Sequence, residues 1–123
     1  MLFRSPVRDN DIPIMIGGDS DIAIKRTARI GNGWLAFDLP AEKAPSRVEL
    51  LKKLTREQDR DSDALRISCA IFSWTKPDDL KRYRDAGITE FVLVHSELPI
   101  EDAALNEQMA VAASETVDLV AAW

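Results

Sequence analysis

Cysteine, histidine, glycine and unbroken apolar sequence are all scarce in this chain of 123 residues. The single cysteine, Cys69, excludes an internal disulfide and a cysteine-rich metal site, and its setting in "ISCAIF" is that of a buried thiol. No apolar run approaches the roughly 18 to 20 residues of a membrane span, and the opening "MLFRSPVRDND" turns polar too soon for a signal peptide. A cytoplasmic location is the default expectation. Basic runs are also missing: 16 Lys and Arg are interspersed among 21 Asp and Glu, for a net charge of −5. A nucleic-acid partner is therefore not expected, because phosphate contacts need a basic patch.

What is present is a regular alternation. "IPIMIG" (Ile12 to Gly17) reads as a short strand buried on both faces and ended by glycine. A helix capped by Asp19 or Ser20 follows, with Ile24 and Ala28 on its inner face and Gly31 and Gly33 as its left-handed stop. "GWLAF" (Gly33 to Phe37) is a second strand, and a helix from about Pro45 to Gln58 carries an inner stripe of Val48, Leu51 and Thr55. Ala64 to Trp74 is the longest strand candidate, followed by a helix over Lys76 to Gly87 with Thr75 as its cap and Leu80 and Tyr83 facing inward. "ITEFVLVHS" is a fourth strand, and Pro99 to Trp123 an Ala-rich helix with Leu105, Met109, Ala113, Thr116 and Val120 on one face. The order is four βα units in succession over residues 12–123, after a connector over residues 1–11, in one folding unit.

Such alternation predicts an α/β fold with parallel strands and right-handed crossovers. An eight-unit barrel takes about 250 residues, so this chain is either an open sheet or half of a barrel. In both, loops leaving the carboxyl ends of the strands gather on one face, and that face holds ligands. Here those loops begin at Gly17, Phe37, Trp74 and His95.

The first of them, "IGGDS", combines a glycine pair with free helix amides, which is a seat for a phosphate. Asp19 and Asp21 would repel a dianion there unless they point away or cap the helix, and a tight turn with no ligand explains the same residues. His95 lies on the functional face, and a lone histidine there reads as a solvated loop residue. Trp34 and Trp74, near strand ends, fit either a ring-binding pocket or core packing. The run Asp59 to Asp63 lacks the glycine and distal glutamate of a calcium loop and reads as a solvated turn, so no metal is expected.

Taken in order, "IPIMIGGDSDIAIKRTARIGNGW", "RVELLKKLTREQDRDSDAL" and "YRDAGITEFVLV" resemble the carboxy-terminal half of luciferase-like monooxygenases. The most specific element pairs "P-I-x-I-G-G-x-S" with "A-R-I-G-N-G-W" a helix later. The resemblance implies half of a (β/α)8 TIM barrel and an oxidoreductase or monooxygenase using flavin (FMN) or deazaflavin (coenzyme F-420). It implies Gly17, Gly18, Asp19 and Ser20 as the cofactor-phosphate loop, with Trp34 packing at the next strand. The amino-terminal half, which holds much of the ring pocket in that family, has no counterpart here, so no catalytic residue is named; His95 is the one to test. Unpaired sheet edges imply a homo-oligomer or a complementary half-barrel chain. The alternative is an inactive truncated or split half-barrel that packs with a partner or binds a phosphorylated ligand weakly; an unrelated flavodoxin-type domain is a third reading.

Overall fold

The structure, a computed structural model, describes residues 12–72 and 74–94. Strand β1 (Met15–Gly17) leads to helix α1 (Asp21–Ile30), β2 (Gly33–Ala36) to α2 (Ala44–Glu57), and β3 (Arg66–Phe72) to α3 (Pro77–Asp85), before β4 (Glu90–Val94). The sheet order is β1-β2-β3-β4 and every pairing is parallel.

That order decides among the architectures left open by the alternation. Each strand is added on the same side of the one before it, so right-handed crossovers put every helix on one face of the sheet. The core agrees, since Ile24 and Ala28 of α1, Val48 and Leu51 of α2 and Tyr83 of α3 pack with Trp34, Ala36, Ile67 and Cys69 of the sheet. Register sets Ile16, Trp34 and Ile67 side by side on that face, and Ala36, Cys69 and Phe91 in the next row. A flavodoxin-type sheet reverses direction at a switch point and carries helices on both faces; among the described residues this one does neither. Sequential strand order and one-sided covering are those of a barrel wall.

The other face carries Met15 and Gly33, then Gly17, Leu35, Ser68 and Glu90, then Ala70 and Val92, then Phe72 and Val94. Met15 and Val92 are exposed there. The expectation that β1 is buried on both faces is therefore wrong: the strand is an edge, shortened to three residues, and Ile12 and Ile14 before it are exposed as well. The chain ahead of Met15 is held instead by Asn32, whose Oδ1 accepts from the Ile14 amide at 2.8 Å.

Other boundaries differ for identifiable reasons. Gly31 is not left-handed but extended (φ −79°, ψ 148°), and it is glycine because a Cβ would lie 3.0 Å from the Thr27 backbone. At Gly33 a Cβ would meet the Met15 side chain and the Arg66 carbonyl. Gly87 does take the left-handed conformation (φ +103°). Its amide and that of Ile88 donate to the carbonyls of Arg84 and Tyr83, closing α3 with a Schellman motif. Thr75 does not cap α3; its hydroxyl accepts from the Phe72 amide at 2.9 Å and ends β3. The inner stripes expected for α1, α2 and α3 are buried as read. The helix expected from Pro99 lies outside the described residues.

Candidate functional site

The carboxyl end of β1 turns sharply because Gly18 sits at φ +116°, where a side chain is strained. Its amide donates to the Leu35 carbonyl at 3.2 Å and its carbonyl accepts from the Trp34 indole at 2.7 Å. Ser20 is the cap of α1: its hydroxyl accepts from the Ala23 amide at 3.2 Å, which leaves the hydroxyl proton free to donate outward. The amides of Asp19, Ser20, Asp21 and Ile22 have no acceptor among the described residues. Gly17 faces the barrel interior, and a Cβ there would meet nothing within 4 Å. The corner thus has open space beside a row of free donors at the positive end of a helix.

The two carboxylates that threatened this seat are both turned elsewhere. Asp19 accepts from the amides of Phe37 at 3.1 Å and Asp38 at 2.8 Å, so it braces the next loop. Asp21 is paired with Arg47 of α2 at 2.6 Å, and this guanidinium holds its carboxyl below the usual range. Arg47 also donates to the Asp19 carbonyl at 2.5 Å. Together with Lys43 it lines a cavity of about 410 Å³ against Ser20. Sequence reasoning missed both cations, because the Arg47 contacts span 26 and 28 residues and leave no local signal. Arg60 was missed in the same way: it lies in the acidic turn and donates to the carbonyls of Thr27, Ala28 and Gly31 at the far end of α1.

The remaining candidates separate cleanly. Trp34 is wholly buried and packs in the core, as its preferred reading had it. Trp74 is 65% exposed and stacks on Phe72 with ring centroids 4.7 Å apart and planes 5° apart, while Phe37 meets Phe72 edge-on at 5.7 Å. Cys69 is buried, and that burial followed by the charge of Asp19 pushes its thiol up to about 12, so it is no nucleophile. Tyr83, pushed up to about 12 chiefly by burial, donates its hydroxyl to the Leu39 carbonyl. Among the described residues no cluster of metal-ligating side chains occurs, and no helix is long and apolar enough to cross a membrane. His95 lies outside the described residues.

A parallel sheet in sequential strand order, with its described helices packed on one face, defines the βα-barrel class of fold. Within that class the chain belongs to the luciferase-like monooxygenase family, whose profile matches residues 2–122. It is 27% identical over 89 residues to the uncharacterized proteins Rv0940c of Mycobacterium tuberculosis and Mb0965c of Mycobacterium bovis, a match of 72% of this chain and 30% of each relative. Among solved structures it resembles an F420-dependent secondary alcohol dehydrogenase in complex with an F420-acetone adduct (TM-score 0.62, 10% identity, 79% of this chain and 47% of that one). It also resembles the coenzyme F420 dependent tetrahydromethanopterin reductase of Methanopyrus kandleri (TM-score 0.59, 14% identity, 77% and 48%). The chain thus spans about half the length of these enzymes and less than a third of the curated relatives. Its βα units correspond to half of a TIM barrel.

Proposed function

We propose that the chain supplies the cofactor-phosphate loop and the carboxy-terminal half barrel of a flavin- or deazaflavin-dependent oxidoreductase. Gly17, Gly18, Asp19 and Ser20 form the loop. The observation that carries this reading is the set of free amides from Asp19 to Ile22, in a corner where Asp19 and Asp21 are both diverted from the anion's place. Asp19 serves through its amide alone, Ser20 through its amide and hydroxyl, and Gly17 by the space it leaves. When bound, the flavin or deazaflavin would supply hydride transfer or oxygen activation, and the chain's residues orient it.

Titration with FMN and with riboflavin, which lacks the phosphate, tests the loop directly. FMN should bind more tightly, and Gly17→Asp, which fills open space without a clash, should weaken FMN binding at least about tenfold by setting a carboxylate beside the phosphate. Equal affinity for the two flavins, or no effect of the substitution, would move the site elsewhere. The same titration with coenzyme F420 distinguishes flavin from deazaflavin use.

A second reading rests on the exposed inner face at Met15 and Val92 and on the share of the solved enzymes the chain covers. In it the chain acts only by packing with a second copy or a complementary half barrel, without turnover of its own. Sedimentation of the purified chain separates the cases: a monomer with cooperative unfolding removes the packing role, whereas an oligomer that binds no flavin supports it.

A further inference from the structure

Two of the exposed large apolar side chains, Phe37 and Trp74, stand at the carboxyl ends of β2 and β3, on the same rim as the phosphate loop but not in it. The phosphate reading gives them no task. They are joined through Phe72, which stacks on Trp74 and meets Phe37 in a T-shaped pair. The cluster is anchored: Thr75 is bonded to Phe72 through both its amide and its hydroxyl, and the Phe37 amide is held by Asp19. With Trp74 65% exposed, the ring face turned away from Phe72 is open to a further ring in the same stack. An aromatic shelf fixed by hydrogen bonds and left open to solvent is costly to hold unless something covers it.

The shelf walls a cavity of about 440 Å³ between the loops after β2 and β3, within the range of small-molecule sites. Its polar lining is mainly acidic, with Asp38, Glu42 and Asp79 set against Lys76. Asp79 is shared with Arg82 at 3.7 Å, while Asp38 and Glu42 have no cationic partner among the described residues. The indole is the best of the aromatic faces for holding positive charge. An anion entering here meets carboxylates and the negative face of a ring, whereas a cation is favoured by both.

We propose that Phe37, Phe72 and Trp74 form a substrate shelf for a planar ring that carries positive charge, beside the seat of the cofactor phosphate. Calling the ligand a substrate rests on the oxidoreductase reading; the ring preference does not. The acidic lining selects against carboxylate-bearing rings, and the stack selects for flat ones.

Three rings of one size test this on the full chain: 1-methylnicotinamide (cationic), nicotinamide (neutral) and nicotinate (anionic), with binding followed by broadening of the ligand ring protons in NMR. The cation should bind most tightly, the neutral ring more weakly and nicotinate weakest. Trp74→Ala should weaken the cation about tenfold and Trp74→Phe should restore most of the loss. Asp38→Asn with Glu42→Gln should narrow the difference between cation and neutral ring, leaving the share that Trp74 supplies. Nicotinate binding as tightly as the cation, or an unchanged affinity in Trp74→Ala with its unfolding transition intact, overturns the proposal. FMN titrations of the same variants keep the two readings apart. FMN affinity unchanged by Trp74→Ala supports a separate substrate shelf, and an equal loss makes the shelf the cofactor ring's seat and overturns it. Failure of both FMN and coenzyme F420 to bind the wild-type chain defeats the cofactor reading while the ring series still decides the shelf.

Discussion

The corner after β1 and the corners after β2 and β3 share one backbone plan and differ in everything their side chains do. At the first, Ser20 caps the helix, Trp34 pins Gly18, and the side chains draw aside to leave backbone donors uncovered. At the other two, the helix caps are Lys43 and Lys76, neither of which makes a side-chain cap bond, and the exposed groups are aromatic. A helix whose cap is made locally can present its remaining amides to an anion. Corners without such caps present rings and carboxylates instead. Neighbouring loops of one parallel sheet can therefore hold opposite chemistries about 5 to 10 Å apart, the spacing of one or two strands.

Trp34 is the deepest link in the first corner, and its replacement should have the largest effect. Trp34→Ala removes a wholly buried ring and should cost about 3 to 5 kcal/mol, read as a shifted urea midpoint. Trp34→Phe keeps most of the ring but frees the Gly18 carbonyl, so it should weaken FMN binding and leave the aromatic shelf's ring binding alone. An equal effect on both would show that the corners are not independent. Next comes Arg60→Ala, which strips the Ala28 and Gly31 carbonyls at the far end of α1 of their donor and leaves the Thr27 carbonyl with the Gly31 amide alone. A loss of about 2 to 3 kcal/mol is expected, with both ligand sites unaltered in the folded fraction. Asp19→Ala should cost less, about 1 to 2 kcal/mol, since the amides it frees are exposed. The Asp19 carboxylate ties the loop after β1 to the Phe37 and Asp38 amides, so its loss should loosen the shelf through Phe37 while disturbing the phosphate loop.

How far these corners were legible in the sequence follows from the range of the contacts. The β1 to α1 turn was readable because its determinants are neighbours: Gly18 for the turn, Ser20 for the cap, and Ile24 and Ala28 for the buried face. The buried stripes of α2 and α3 were readable for the same reason, through helical periodicity. What was not readable depends on register and on long arms. The Phe72 and Trp74 stack needs β3 to end at Phe72 rather than run to Trp74, and that end is set by Thr75 turning back. Arg47 and Arg60 act across 26 to 33 residues, where no spacing rule applies. Gly31 misled because a tight approach to Thr27 and a left-handed stop demand the same residue. Strand direction was implied by alternation, but the choice between a barrel wall and an open sheet rested on strand order, which composition does not encode.

The smallest expected effect lies at the opposite end of the sheet, and it asks whether the ligand rim is insulated from the rest of the inner face. There Arg66 makes a two-pronged pair with Glu90, at 3.0 and 3.1 Å, and the Ser68 hydroxyl donates to the same carboxylate at 2.9 Å. Hydrogen bonding from Arg66, then from Ser68, holds the Glu90 carboxyl below its unfolded value of 4.5. A carboxyl lowered in the folded state stabilises the fold fully above that value and ceases to do so as pH falls through the lower folded pKa. Glu90→Gln should therefore bring the urea midpoint below that of the wild type at neutral pH, and the gap should close as the solution is acidified beneath 4.5. Raised salt should narrow it too, since Arg66 is more than half exposed. A gap that persists in acid would mean that packing, not charge, sets the effect. Because Glu90 and Phe72 face the same side of the sheet from opposite strand ends, any change in ring or FMN affinity in Glu90→Gln would show that the rim's two chemistries depend on the whole inner face rather than on their own corners.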